Sequence, residues 1–278
     1  MTSLTCIFTA TDSPYLAEKC TGLGNVLFQI AAIYALAKET GRTAEYTNLN
    51  TLCEKLETLT GCDYKKTIFR NISPESNFNY TKFAYVQNDY RNSNFKQELV
   101  NFVNNTHENI CLQGHFESHH YFSNYKDEII SMLSPDQNSL DFITTKYPML
   151  LNSSKSVGAI HIRKHHPSFN DDAVYIQRAI DYLPADVTYI VISNDVEAAK
   201  KELEPINRDF IFASNNFDFI DVWIMSLCKY NIMSHSTMSW WGSFLNLHED
   251  KVVIYPQTRE NIYPGPISNF YLKTYIPL

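Results

Sequence analysis

Val157-Gly-Ala-Ile-His-Ile-Arg163, an apolar run that ends in a cation, opens the part of the chain whose pattern decides the fold. A helical pattern follows at residues 172–182, then the strand Thr188-Tyr-Ile-Val-Ile192 and a helix at 195–203. The alternation continues through Phe210-Ile-Phe212, a helix at 218–229, Asn231-Ile-Met233, a helix at 238–246 and Lys251-Val-Val-Ile-Tyr255. Five strands separated by short helices predict an α/β fold with a parallel, doubly wound sheet. Such sheets bind ligands in the crevice beyond their carboxyl ends, so the residues that follow each strand are the candidates for function.

Towards the N-terminus the pattern is less regular. Residues 4–9 read as a short buried strand, and Gly22-Leu-Gly24-Asn25 opens an apolar run from Val26 to Lys38 that stops at Thr40-Gly41. A helix that is apolar on nearly all sides is a buried one, and glycine after its last turn is a C-terminal stop. From about 43 to 150 the chain is polar and rich in asparagine and aromatics, with helices expected at 95–104 and 124–133. Within it, a strand starting at Cys111 runs into the histidine-rich turn Gly114-His-Phe-Glu-Ser-His-His-Tyr-Phe122. Leu150–Ser156 is the best linker. It divides the chain into an N-terminal domain, 1–150, and a C-terminal domain, 151–278.

The 278 residues carry 23 basic and 30 acidic side chains, a net charge of −7, with 44% hydrophobic residues. That composition is of an ordinary globule and excludes disordered, collagen-like and coiled-coil chains. An acidic balance with no Lys/Arg run argues against nucleic acid as a partner. No stretch approaches the ~20 apolar residues of a membrane span, and the start has no basic region ahead of a long apolar run. The six cysteines form no C-x-x-C pair, which favours buried free thiols over disulfides or zinc and points to a reducing, cytoplasmic setting. Oligomeric state is left open.

Three strand-to-helix junctions carry the chemistry. After the first strand, His161 and Arg163 share one face and emerge at its carboxyl end. The planar fork of Arg163 suits either diphosphate oxygens or a structural carboxylate. After the second strand, Ser193-Asn194-Asp195 can cap the next helix or hydrogen-bond a base or ribose. After the fourth comes Ser234-His235-Ser236-Thr237-Met-Ser239-Trp240-Trp241-Gly242. Its hydroxyls precede a helix N-terminus, which reads as a phosphate site or as a cap over core aromatics.

Other motifs are absent. Gly22-x-Gly24 is followed by Leu27 where a dinucleotide fingerprint needs its third glycine, and there is no G-x-x-x-x-G-K-[ST]. No Asp-x-Asp pair offers a metal for a nucleotide sugar, so Arg163, Lys164 and backbone N–H groups would have to neutralise a departing diphosphate. The clustered histidines 115, 119, 120, 165 and 166 lack carboxylate or thiolate company at zinc spacing.

Taken in order, these segments resemble the glycosyltransferase family 11 α-1,2-fucosyltransferases. The likeness runs through Gly22–Ala37, Gly114–Phe122, Val157–Arg163, Tyr189–Asp195 and Asp221–Gly242. It implies a GT-B-like fold, two Rossmann-type halves facing a cleft. It also implies an inverting, metal-independent enzyme that moves L-fucose from GDP-fucose to a galactoside hydroxyl of a glycan. The nucleotide-sugar donor and the glycan acceptor would be its partners, and no cofactor is needed. The catalytic set would be His161 and Arg163, with Arg163 stabilising the departing β-phosphate. Gly22, Gly24, Asn25, Asn194, Asp195, Ser234, Ser236 and Thr237 would bind the donor, and His115 and Glu117 the acceptor.

Two departures stand at the site. The family continues His-x-Arg-Arg with Gly-Asp-Tyr, whereas Lys164 is followed by His165-His166-Pro167, so the acid's role passes to His166, Asp171 or Asp172, acceptor handling has changed, or activity is weak. His235 stands where the family commonly has Asn. A related transferase with another nucleotide sugar, or a non-catalytic nucleotide- or glycan-binding protein, are the alternative readings.

Overall fold

The computed structural model describes residues 2–6, 8, 22–72, 79–86, 94–151, 156–164, 173–257 and 267–278. The chain forms two compact units, Met1–Ser134 with Tyr263–Tyr271, and Pro135–Ile262 with Leu272–Leu278.

The first unit holds β1 (Ser3–Thr5), α1 (Leu23–Glu39), β2 (Thr43–Glu45), α2 (Leu49–Thr60), β3 (Lys82–Tyr85), α3 (Phe95–Asn104), β4 (Ile110–Gln113) and α4 (Lys126–Leu133). Its strands are all parallel, in the order β2-β1-β4-β3. The helix expected from the apolar run is α1, and residues on every side of it are buried. The strand expected over 4–9 is Ser3–Thr5, with residues 7 and 9 outside the described ones. The helix at 95–104 matches α3, and that at 124–133 is α4 with a 3-10 turn, Ser123–Tyr125, ahead of it.

The second unit holds α5 (Gln137–Lys146), β5 (Val157–Ile162), α6 (Ala173–Tyr182), β6 (Thr188–Ser193), α7 (Val196–Leu203), β7 (Phe210–Phe212), α8 (Asp218–Leu227), β8 (Tyr230–Ile232), α9 (Thr237–Phe244), β9 (Val252–Tyr255) and β10 (Ile276–Pro277). The sheet is parallel in the order β10-β9-β8-β5-β6-β7. The five expected strands are present, and the last residues of the chain add a sixth, β10, beside β9. Helix α5, which precedes the expected linker, packs within this unit: Lys146 Nζ donates to the carbonyl of Ser214 at 2.7 Å.

Strand alternation sorts the side chains of β5. Ile160 and Ile162 join Ile176, Ala179 and Ile180 of α6 in one apolar layer. Ala159 and His161 take the opposite face. There α8 and α9 bury Trp223, Trp240 and Trp241 completely, each worth a few kcal/mol of transfer free energy. None of the described helices is long and apolar enough to cross a membrane.

The order of each sheet locates its crevice. In the second unit the chain leaves β5 through β6 to β7 on one side and returns to β8 on the other. The switch point therefore lies between the carboxyl ends of β5 and β8. In the first unit the same logic puts it between β1 and β4.

Candidate functional site

Two of the expected segments meet at the β5/β8 switch point. His161, the fifth residue of β5, is buried, and its Nδ1 lies 2.7 Å from the Oγ of Ser234, beyond β8. Burial, and secondarily the charge of Arg163, push the imidazole down to about 3, so it is neutral at physiological pH. Arg163 follows at the open end of the strand and is half-buried.

The turn from Ser234 to Thr237 is held by its own hydroxyls. The Ser236 N–H donates to Ser234 Oγ at 3.1 Å, and Ser236 Oγ accepts from the Met238 N–H at 3.2 Å as the N-cap of α9. Ser239 Oγ contacts the carbonyls of Ser234 (3.2 Å) and Ser236 (2.9 Å). Ser234 is fully buried, whereas Ser236 and Thr237 are half-exposed at the start of the helix. The Trp-Trp-Gly run has a packing reason. A Cβ on Gly242 would lie 2.4 Å from the Cβ of Met225, so α9 crosses α8 at a distance only glycine permits.

The β5 and β6 ends are stitched together. The Lys164 N–H donates to Asn194 Oδ1 (2.8 Å), and Asn194 Nδ2 donates to the Lys164 carbonyl (3.1 Å). Asp195 caps α7 by accepting from the Ala198 N–H at 2.9 Å. Lys164 Nζ sits 2.8 Å from Glu202, whose other oxygen accepts from the Ala173 N–H at 2.9 Å. The lysine's charge is thus matched inside the unit. His166, Asp171 and Asp172 lie outside the described residues.

Beside this junction is a cavity of about 540 Å³ lined by Ser193, Val196, Glu197, Ser214, Asn216 and Asp221 among others. The Asp221 carboxyl, on a half-buried residue, is pushed up to about 6, chiefly by desolvation, although Asn216 Nδ2 donates to it at 2.8 Å. Asn216 is itself braced by Lys146 Nζ (2.6 Å) and Tyr147 OH (3.1 Å). A perturbed acid in a cavity beyond strand ends is a candidate binding group. No role was assigned to it from sequence, yet a carboxylate inside the otherwise apolar run Phe219-Ile-Asp-Val-Trp-Ile-Met225 is a signal that could have found it.

In the first unit, Gly22 is the N-cap of α1 and Gly24 and Asn25 lie in its first turn, while His115 and Glu117 follow β4. Gln29 Nε2 donates to the Gly114 carbonyl at 3.0 Å and ties the two segments together. Phe116 between His115 and Glu117 has φ 54°, an unusual value for a non-glycine residue, and is completely buried. His115 is exposed and Glu117 half-buried. Among the described residues no group of three or more His, Cys, Asp or Glu could hold a metal ion, and the five described cysteines are free thiols.

The sequence profile of glycosyl transferase family 11 matches residues 17–263. The chain is 26% identical to the O-antigen biosynthesis glycosyltransferase WbnK of Escherichia coli, over 85% of this chain and 91% of that one. It is 24% identical to an alpha-1,2-colitosyltransferase of the same organism, over 87% and 90%. The NodZ alpha-1,6-fucosyltransferase of Bradyrhizobium, whose crystal was soaked with GDP-fucose, superposes with a TM-score of 0.54 at 13% identity, covering 88% of this chain and 93% of that one. That likeness is one of fold, GT-B-like, with two parallel α/β units.

Proposed function

This chain belongs to glycosyl transferase family 11 and is a glycosyltransferase, and from that premise we propose that it transfers L-fucose from GDP-fucose to a galactoside hydroxyl of a glycan. The observation that carries the reading is the convergence of His161 and Arg163 with the Ser234–Thr237 turn at the β5/β8 switch point.

In this reading the second unit is the donor side. The diphosphate lies against Arg163 and the α9 N-terminus, and the base enters the cavity where Asp221 can accept its N–H groups. Guanine suits such a carboxylate because its ring N–H and amino group are adjacent donors. The sugar C1–O bond to the β-phosphate breaks, with its electron pair leaving on the phosphate oxygen. The acceptor oxygen attacks C1 from the opposite face and loses its proton to a base, for which we propose His166 or Asp171. Products are the fucosylated glycan, GDP and a proton. The charge that develops on the leaving diphosphate is met by Arg163 and backbone amides, so the reaction is proposed to need no metal. His115 and Glu117 of the first unit are proposed to handle the acceptor, and the free thiols support a cytoplasmic setting.

The E. coli relative named for colitose transfer favours one second reading, the same chemistry with another nucleotide sugar. Incubation with GDP-fucose and a β-galactoside, with and without a chelator, tests both by GDP release. The expected result is equal release in the two arms. GDP binding without turnover of GDP-fucose would favour another donor sugar or a binding protein. Absence of GDP binding in calorimetry would overturn the donor assignment, and loss of turnover on chelation would overturn the metal-free mechanism.

A further inference from the structure

We propose that His161 is a positioning residue whose ring, protonated on Nε2 alone, accepts the hydroxyl hydrogen of Ser234 at Nδ1 and through it fixes the Ser234–Thr237 turn. This role rests on the reading above, in which that turn receives the donor's diphosphate.

The argument is one of hydrogen-bond accounting. Ser234 is fully buried, and its Oγ has two partners, the Ser236 N–H at 3.1 Å and His161 Nδ1 at 2.7 Å. The first is a donor, so Oγ accepts there. A serine hydroxyl also has one hydrogen to place, and out of water an unplaced one is costly. Nδ1 is the acceptor within reach, which requires the ring's proton to sit on Nε2. The opposite tautomer would aim two donors at Oγ and leave its own hydrogen without a partner.

The ring's surroundings favour the same state. It is enclosed between β5 and the helices behind it, with the Arg163 cation nearby, and both effects keep it neutral. A neutral, enclosed ring is poorly suited to carry a proton in the reaction and well suited to hold a fixed bond. The turn it holds has little other freedom. Ser239 Oγ engages the Ser234 and Ser236 carbonyls, and Ser236 Oγ caps α9. The histidine thereby couples the strand that carries Arg163 to the helix that carries Thr237, keeping the two anion-facing segments in register.

The test combines a spectrum with a mutant cycle. In the 15N-histidine-labelled wild-type protein, the long-range 1H–15N pattern of His161 is expected to be that of an Nε2–H ring, unchanged between pH 5 and 8. In calorimetry with GDP, Ser234→Ala and His161→Gln should each weaken binding about tenfold, the scale of one buried hydrogen bond. The double variant should be no weaker than either single one. His161→Asn, whose Oδ1 can occupy the place of Nδ1, should stay within about threefold of wild type on the same scale. An Nδ1–H ring, a titration within that pH range, or losses that add would overturn the proposal. If the wild type binds no GDP, the donor reading falls while the spectrum still decides the His161–Ser234 bond. The spectrum also decides it if the variants fail to fold.

Discussion

Arg163 and Lys164 are adjacent cations with different fates. Lys164 is held 2.8 Å from Glu202, a pair buried more than two-thirds on each side, while Arg163 stands at the mouth of β5. With the diphosphate against Arg163, as proposed, Arg163→Ala should reduce turnover by about 10²-fold or more, the scale of losing one contact to transition-state charge. Arg163→Lys should recover only part of it, because a point charge does not reproduce a planar fork. A near-normal GDP release rate for Arg163→Ala would show that the leaving phosphate sits elsewhere. The His-x-Arg spacing was legible because alternation along one strand fixes which side chains share a face. The fate of Lys164 was not, since its partner lies 38 residues away on α7 and no local pattern records that pairing. The same holds for Asn194. The sequence allowed a cap or a base contact, whereas its amide spans to the Lys164 backbone from the neighbouring strand.

Helices and strands with one strong local cause are legible in the sequence, and those with weak causes are not. β5 to β9 have apolar cores and turn residues between them. β10 has two residues, and β2 and β3 are three- and four-residue strands with exposed or half-buried side chains, too little for a period to show. α2 starts at Asn48 in a left-handed conformation, φ 61°, and makes no side-chain cap. The Asn48 amide instead pairs with the backbone of Phe8, so a residue of the usual N-cap type stands at the start without capping it. Its stop is Gly61 in a left-handed conformation, φ 75°. The contact between α8 and α9 gives a direct test of packing. Gly242→Ala would bring a Cβ to 2.4 Å from the Met225 Cβ, which no side-chain rotation can relieve. The two helices must separate, and stability should fall by roughly 1–3 kcal/mol, the usual cost of overpacking. The urea midpoint measures this, and an unchanged midpoint would mean that the helices slide freely.

Two groups of the second unit, buried His161 and half-buried Asp221, make opposed contributions to its acid stability. His161 is pushed from 6.5 down to about 3 in the fold, so the unfolded chain binds the extra proton, and stability is lost as pH falls below 6.5. Asp221 is pushed from 3.8 up to about 6, so the folded chain binds the extra proton, and stability is lost as pH rises from 3.8 to 6. Each slope is about 1.4 kcal/mol per pH unit within its window. Between pH 4 and 6 the windows overlap and the slopes cancel. Removing either group should expose the other. Asp221→Asn should lose stability relative to wild type by about 1.4 kcal/mol for each unit that pH falls through this range, and His161→Asn should gain by the same amount. Urea denaturation of the three proteins at pH 4, 5 and 6 measures the differences directly. Parallel curves for Asp221→Asn and wild type would mean that Asp221 titrates as an ordinary carboxyl. Desolvation would then not hold it protonated as pH falls towards 4, and the proposed contact with a nucleobase would have to be made by a group that is ionised across the whole range.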